Sequence, residues 1–480
     1  MVQNLAWFPR WLGGPTAPRT RAFNDDRPLT ILMMIGSAVA LGRAIHANNG
    51  AYSVEAFNWI AVAFALALGP IFTPALRALD VVILERLLMP AFGIAVAYQF
   101  AVLATSSPII YLDPSAGFTL ADFGFLLVIA AVVAGVAVAR TGKRTPWLAP
   151  LLLLLYTLIG RWTLKASPRP HIDVFTIHQE SLAALVQGIN PYTITFENPY
   201  HTTQWFSPGV ATFDRLLFGY VYPAWTLIVA LPGYLLAHDF RYSFLAAAAV
   251  SGALMMAARP AWSWAIAASL LFLFTPRSFF VLEQGWTEPV LLIGVAISVF
   301  AASRRVMWLL PIGIGIVACA KQYSILAAPA VLLLRPLYPS WGSFALMILK
   351  AIVTAAVITL PLVLWGPKAY WHDVFGIQFS APYRPDALCL PVFWAAKFGK
   401  EMPRAVQLGG PALLAILTML RAPRTPAGFA WAGGTIYFIF FMFRQGFCNY
   451  YYLVIGIYAF AAAVAQPGAT LLEESQQNDS

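Results

Sequence analysis

The feature that most constrains this chain is its succession of apolar runs, each close to the length that crosses a bilayer. Five fall in the first third, at 29–47, 57–76, 87–105, 120–139 and 147–164. An α-helix rises about 1.5 Å per residue, so ~20 residues reach the ~30 Å of the hydrocarbon core. Further apolar runs follow at 220–237, 243–256, 261–274, 289–300, 306–320, 323–334, 344–365, 405–420, 427–443 and 451–465. Of the 480 residues only 10% are charged and 60% are hydrophobic, and the mean hydropathy is +0.72. A soluble surface needs about 25% charged residues. Soluble enzyme, disordered chain and fibrous repeat are therefore excluded. In lipid, backbone polar groups must pair within the segment, so these runs become helices. The expected fold is all-α: a polytopic transmembrane bundle of roughly 13 spans.

Charge gives the sidedness. The net charge of +10 reads as basic residues gathered at cytoplasmic helix ends, not as a nucleic-acid surface. Residues 1–28 carry Arg10, Arg19, Arg21 and Arg27 and read as a cytoplasmic tail, with an interfacial segment around 7–12. Arg77, Arg86, Arg140, Lys143 and Arg144 fall on the same side, whereas loop 106–119 has no Lys or Arg and reads as outside. The fifth run then exits to the outside. Arg304, Arg305, Arg335, Arg421 and Arg424 belong inside, which places Glu283, Lys321, loop 366–390 and segment 444–450 outside. Arg241 also reads as cytoplasmic, and that breaks the parity, because two apolar runs separate it from Glu283. Either 243–274 crosses once, with a break at Arg259-Pro260, or Arg241 lies on the other side. Residues 467–480 form a polar tail.

Polar residues at or within a membrane are candidates for function. The longest polar stretch, 165–205, holds His171, Asp173, His178, Glu180 and the run Gly188-Ile189-Asn190-Pro191-Tyr192. A carboxylate such as Asp173, set against an apolar surface, can have a raised pKa and serve as a general base. The alternative is a solvated loop with Asp173 as a helix N-cap. Residues 173–188 carry apolar side chains at helical spacing, as a short helix lying on the membrane would. Three further clusters stand out, and of the four three share a side. Glu283-Gln284-Gly285 and Glu288 flank a glycine between apolar runs, either as a ligand-facing break or as an ordinary turn. Lys321 sits in a tight connection, where it can snorkel to the interface or hold a phosphate. Arg384 can recognise phosphate through its paired donors or pair locally with Asp386. Arg444 and Asn449-Tyr450-Tyr451 form a weaker fifth cluster. The three cysteines show no metal or disulfide spacing, and no Walker A, HExxH or GxSxG sequence occurs. No metal or cofactor is expected.

The order of these pieces resembles the GT-C superfamily of integral-membrane glycosyltransferases. It is closest to the polyprenyl-phosphate-mannose-dependent mannosyltransferases and their uncharacterised bacterial relatives. The matching positions are Asp173, Ala183, Gly188 to Tyr192, Asp239 to Tyr242, Glu283 to Gly285, Lys321 and Tyr383 to Asp386, spread over about 147–465. The sequence departs from the pattern in having about four spans before the acidic loop and one clear acidic residue within it. The resemblance implies an N-terminal membrane extension over 29–146 and a catalytic region over 147–466, with outside loop 165–205 bearing short interfacial helices. It implies an inverting transfer of a mannose-like hexose or pentose from a polyprenyl-phosphate donor to a lipid or glycan acceptor, in the cell envelope. Asp173 would be the general base, and Lys321 and Arg384 would stabilise the leaving phosphate. His178, Glu180, Asn190, Tyr192, Glu283 and Gln284 would bind substrate. The expected partners are that donor, the acceptor and membrane lipids. The absence of a eukaryotic retention motif and the compact loops point to a bacterial inner membrane, with the active site on the periplasmic side. A transporter or flippase of lipid-linked sugars is the competing reading. A polymerase or ligase of lipid-linked glycans is a third.

Overall fold

The computed structural model describes residues 28–72, 81–140, 147–258, 264–380 and 382–465. The sequence expectations for 7–12, Arg77, Lys143, Arg144, Arg259-Pro260 and the C-terminal tail lie outside the described residues. Helices dominate. In chain order they are α1 (Pro28–Ala47), α2 (Val54–Phe72), α3 (Val81–Ala104), α4 (Leu120–Ala139), α5 (Leu148–Ala166), α6 (Asp173–Val186) and α7 (Ala224–Ala237). Then follow α8 (Arg241–Ala258), α9 (Trp264–Leu273), α10 (Ser278–Gln284), α11 (Glu288–Arg304), α12 (Leu310–Ala318) and α13 (Trp341–Trp365). The last are α14 (Pro367–Trp371), α15 (Ile377–Ser380), α16 (Leu390–Phe398), α17 (Arg404–Arg421), α18 (Pro426–Phe443) and α19 (Cys448–Val464). One small antiparallel pair joins β1 (Phe196–Glu197) to β2 (Arg215–Leu216).

Among the described residues, eight helices are long and apolar enough to cross a membrane, and the pair α9 and α10, bent by 46°, makes a ninth. The chain is an integral membrane protein of all-helical type. Hydropathy gives roughly 13 spans, and two of the shorter apolar runs form elements of another kind. The run at 220–237 becomes the 14-residue α7, whose two ends stay at one end of the bundle. Its start lies beside Tyr222, whose carbonyl accepts from the Tyr192 hydroxyl at 3.0 Å. Its end, at His238, accepts through its carbonyl from Gln179 of α6 at 2.9 Å. The run at 323–334 winds as a 3-10 helix over Gln322–Leu337, 16 residues. At ~2.0 Å per residue this segment reaches ~32 Å, the full depth of the hydrocarbon core, where an α-helix of equal length would reach ~24 Å.

The parity conflict resolves at Arg241. Its guanidinium is fully buried and donates to the carbonyls of Glu283 and Pro168, at 2.9 and 3.4 Å, and bidentately to Asp239. Arg241 therefore sits at the same end as Glu283 and the polar loop, contrary to the cytoplasmic placement. Its charge is neutralised by Asp239 and spent on carbonyls, so it is not a sidedness signal. Helix α8 and the bent pair then make two crossings and return the chain to that end.

Among the described residues the main apolar core runs from Ile31 to Ala465. Helix α18, whose most apolar stretch is 83% buried, and the almost wholly buried α19 lie at its centre; α13, only 17% buried, presents Leu349, Ile352, Val357 and Leu364 outward as a lipid-facing helix does. The first helices are woven into this core: α1 packs on α19, and Phe57 of α2 stacks on Phe393 of α16 at 4.1 Å. The α1–α2 turn also grips the loop that carries Arg384. The Tyr52 amide donates to the Asp386 carbonyl at 2.8 Å, Ala51 bridges Ala387, and the Leu388 amide donates to Gly446 at 2.8 Å. Gly50 makes this turn possible, with φ +80° and its Cα pressed against the Cys448 backbone. A Cβ there would combine left-handed strain with overlap of main-chain atoms. Gly50→Ala is expected to destabilise the protein by about 3 kcal/mol, read as a lowered thermal midpoint in detergent.

Candidate active site

The end of the bundle holding Arg241 and Glu283 gathers loop 165–223, the start of α11, the α12 to 3-10 connection, loop 366–390 and segment 444–450. Gln322 ties several of these together, donating to the carbonyls of Val221 and Val374 at 2.7 and 2.9 Å. The polar side chains they carry converge around the Tyr222 ring.

Asp173 is the first residue of α6. Its Oδ1 accepts from the Tyr200 hydroxyl at 3.0 Å and from the Val174 amide at 2.8 Å. The cap position itself belongs to Ile172, so Asp173 is not the N-cap. Burial raises the Asp173 carboxyl above the usual carboxylate range, against the Tyr200 hydrogen bond, its own helix amide and the positive charge of Arg384, which pull it back. Burial likewise raises the Tyr222 phenol, and the charges of Asp173 and Glu288 add to the effect.

Opposite lies a buried ion pair. Lys321 Nζ stands 3.1 Å from Glu288 Oε1, and the two side chains are 7% and 0% exposed. The Tyr323 hydroxyl donates to the same oxygen at 3.2 Å, and the ammonium lies 4.9 Å from the Tyr222 ring centroid. Lys321 therefore neither snorkels nor stands alone. Glu288 Oε2 is buried without a hydrogen-bond partner among the described residues. A buried carboxylate oxygen in that state is costly unless a ligand supplies the donor.

Arg384 completes the ring. It pairs with Asp386 through two bonds of 2.9 and 2.7 Å, so the local pair weighed in the sequence is present. The guanidinium also lies 5.0 Å from the ring centroids of Trp205 and Phe447, and its charge bears on Asp173, Tyr200 and Tyr450. It retains donors for an anion, because Arg offers five N–H groups.

The remaining expected site residues stand elsewhere. His178 is fully buried, with Nδ1 2.9 Å from the Val174 carbonyl, Nε2 3.0 Å from the Tyr220 hydroxyl and its ring stacked on Phe240. Burial lowers its pKa to about 3, so it is a neutral packing residue that cannot reach a ligand. Asn190 caps the short 3-10 turn at Pro191–Thr193 through its bond to the Tyr192 amide at 3.0 Å. Tyr192 is buried and holds the Tyr222 carbonyl, so both serve to place Tyr222. Glu180 is half-buried, takes the Glu197 amide and anchors β1; burial raises its carboxyl.

Glu283 departs most from its expected role. Its carboxylate is fully buried and accepts from the amides of Ile110, at 2.9 and 3.1 Å, and Tyr111, at 2.6 Å, while Gln284 donates to it at 3.1 Å. These bonds use its acceptors on loop 105–119 and leave neither Glu283 nor Gln284 turned toward a sugar. Glu283→Gln removes the charge and half of the acceptor capacity. It is expected to destabilise that loop by about 2 kcal/mol, read as faster amide exchange across 106–119.

Sequence reasoning missed Tyr200, Tyr222 and Tyr323 as site residues and gave Glu288 no role of its own. Glu288 was visible as the second carboxylate beside Glu283, and its pairing with Lys321 required the fold. Among the described residues no group of three or more His, Cys, Asp or Glu is placed to hold a metal ion.

No family model matches the sequence, and no curated protein matches it. Among solved structures the chain is similar to ArnT from Cupriavidus metallidurans, crystallised with bound undecaprenyl phosphate, at 19% identity and a TM-score of 0.40. The match covers 70% of this chain and 62% of that protein, so the chain spans about three fifths of its length.

Proposed function

We propose that this chain is a membrane glycosyltransferase that moves a sugar from a polyprenyl-phosphate donor to a hydroxyl acceptor at the outer face of a bacterial inner membrane. The observation that carries this reading is that four separate connections bring to one end of the bundle Asp173, on which the Arg384 charge acts, and the buried Lys321–Glu288 pair, whose ammonium lies 4.9 Å from the Tyr222 ring centroid. A carboxyl raised by burial feels the Arg384 charge, and a second cation, Lys321, lies against Tyr222 at the same end of the apolar bundle. That is the set a phosphate-linked sugar needs. The acceptor oxygen attacks the anomeric carbon and its proton passes to Asp173. The bond from the anomeric carbon to the phosphate oxygen breaks, and polyprenyl phosphate leaves with the electron pair. Attack opposite the leaving group inverts the centre. Lys321 and Arg384 carry the charge that grows on the phosphate, and the unpartnered Glu288 oxygen accepts a sugar hydroxyl. The sugar is of the mannose-like hexose or pentose kind, as the sequence resemblance implies.

The test is transfer of label from radiolabelled polyprenyl-phosphate sugars in membranes containing the chain. Label in a new product only when the chain is present supports the reading. Label that crosses the membrane still attached to its polyprenyl phosphate, with no product formed, would replace it with a flippase.

A further inference from the structure

A cavity opens at the same end of the bundle. It encloses about 570 Å³ between the α5–α6 connection, one face of α6, the strand β1 region and the α7–α8 turn. Exposed Arg169, His171, Glu197, His201 and His238 project around it, with Thr176 of α6 at its floor. Its walls are fixed by bonds already described, Gln179 to the His238 carbonyl and Arg241 to Asp239. Phe175 and the rings of Pro168, Pro170 and Pro199 add flat apolar faces.

This groove shares a wall with the site. Tyr200 stands between Pro199 and His201 of the groove, and its hydroxyl reaches Asp173 on the inner side. The His171 ring meets the Tyr200 ring edge-on at 6.2 Å, two residues before Asp173. The residues flanking Tyr200 thus line the groove, while Tyr200 itself bonds to Asp173.

The chemistry of the lining narrows what fits. Donors and acceptors alternate with ring faces, which suits a molecule that alternates hydroxyls with C–H surfaces. Two carboxylates, Glu197 and Asp239, weigh against a phosphate or other anion. The polar rim weighs against an acyl chain. We infer that this groove binds the hydroxylated sugar headgroup of the acceptor, delivered from the aqueous side, with Tyr200 as the gatepost it passes to reach Asp173. This inference rests on the proposed transferase reading.

The experiment uses the full chain and two readouts. The first compares label transferred to product with label released as free sugar by water, in wild type, Thr176→Trp and Arg169→Ala. A groove that holds the acceptor predicts a roughly tenfold lower ratio of transfer to release in Thr176→Trp and a smaller fall in Arg169→Ala. An unchanged ratio in both overturns the inference. The second readout needs no turnover. A thiol introduced by Thr176→Cys is labelled with a water-soluble maleimide, the three native cysteines being buried. Oligosaccharides released by mild acid from the host's lipid-linked glycans should slow labelling, whereas undecaprenyl phosphate should not. Protection by neither, or by the lipid phosphate alone, overturns the groove assignment. If no variant and no wild type consumes donor, the transferase reading fails, while protection still decides what the groove binds.

Discussion

Asp173→Asn is expected to lower sugar transfer by roughly 10²- to 10⁴-fold, the range that a positioned general base contributes. Asparagine keeps the shape of aspartate and can still accept from the Tyr200 hydroxyl and the Val174 amide. Expression and thermal midpoint should therefore hold while transfer disappears. The pH profile gives an independent check. Burial holds the Asp173 carboxyl above its ordinary range, so it takes up its proton at a higher pH than a free aspartate. The rate should fall as pH drops through that raised value. The Tyr200 hydrogen bond and the Arg384 charge both favour the carboxylate. Tyr200→Phe and Arg384→Gln should each raise the pKa further and move the acid limb toward neutrality. An acid limb that stays put in both variants would remove Asp173 from the proton transfer. His178 cannot produce such a limb near neutrality, because its pKa lies at about 3.

The bundle was legible because hydropathy is a property of single segments. Residues 173–188 were readable as a short helix beside the membrane, and α6 occupies 173–186 of them. Asp173, Lys321 and Arg384 were readable as polar groups on one side; in the structure the Arg384 charge acts on Asp173, and Lys321 pairs with Glu288 against Tyr222. Two kinds of fact were not legible. The first is how a run crosses. A 16-residue 3-10 segment and a 14-residue helix that returns to its own side both read as apolar runs. What separates them is the company each end keeps, which lies far away in sequence. The second is which of two neighbouring carboxylates is free. Glu283 and Glu288 flank the same glycine, and nothing local shows that loop 105–119 will claim the first and Lys321 the second. The same holds for Arg241, a basic residue that hydropathy rules send to the cytoplasm and that carbonyls hold at the opposite end. Long-range hydrogen bonds decide these cases, and they appear only with the fold. The α1–α2 turn is the clearest instance: the first spans read as an addition to the chain, yet they hold the loop that carries Arg384.

Lys321→Ala is expected to destabilise the protein by about 3–5 kcal/mol and to abolish transfer, because it leaves Glu288 charged and buried. The two losses have different causes, and a double variant separates them. In Lys321→Met with Glu288→Gln both charges go, the stem of the lysine is replaced by a side chain of similar length, and Tyr323 still has an oxygen to donate to. Replacing a buried pair together is often neutral for folding, since the desolvation that each ion suffered is removed as well. The thermal midpoint of the double variant should therefore return close to that of wild type. Transfer should not return, because the ammonium beside Tyr222 is what would meet the donor phosphate, and the freed Glu288 oxygen is what would meet the sugar. Recovery of both stability and transfer in the double variant would make the pair a packing device and leave Arg384 alone to hold the phosphate. Recovery of neither would place the pair in the fold itself, and the single variant would then say nothing about chemistry. Stability restored with transfer still absent is the outcome that assigns Lys321 and Glu288 to the donor.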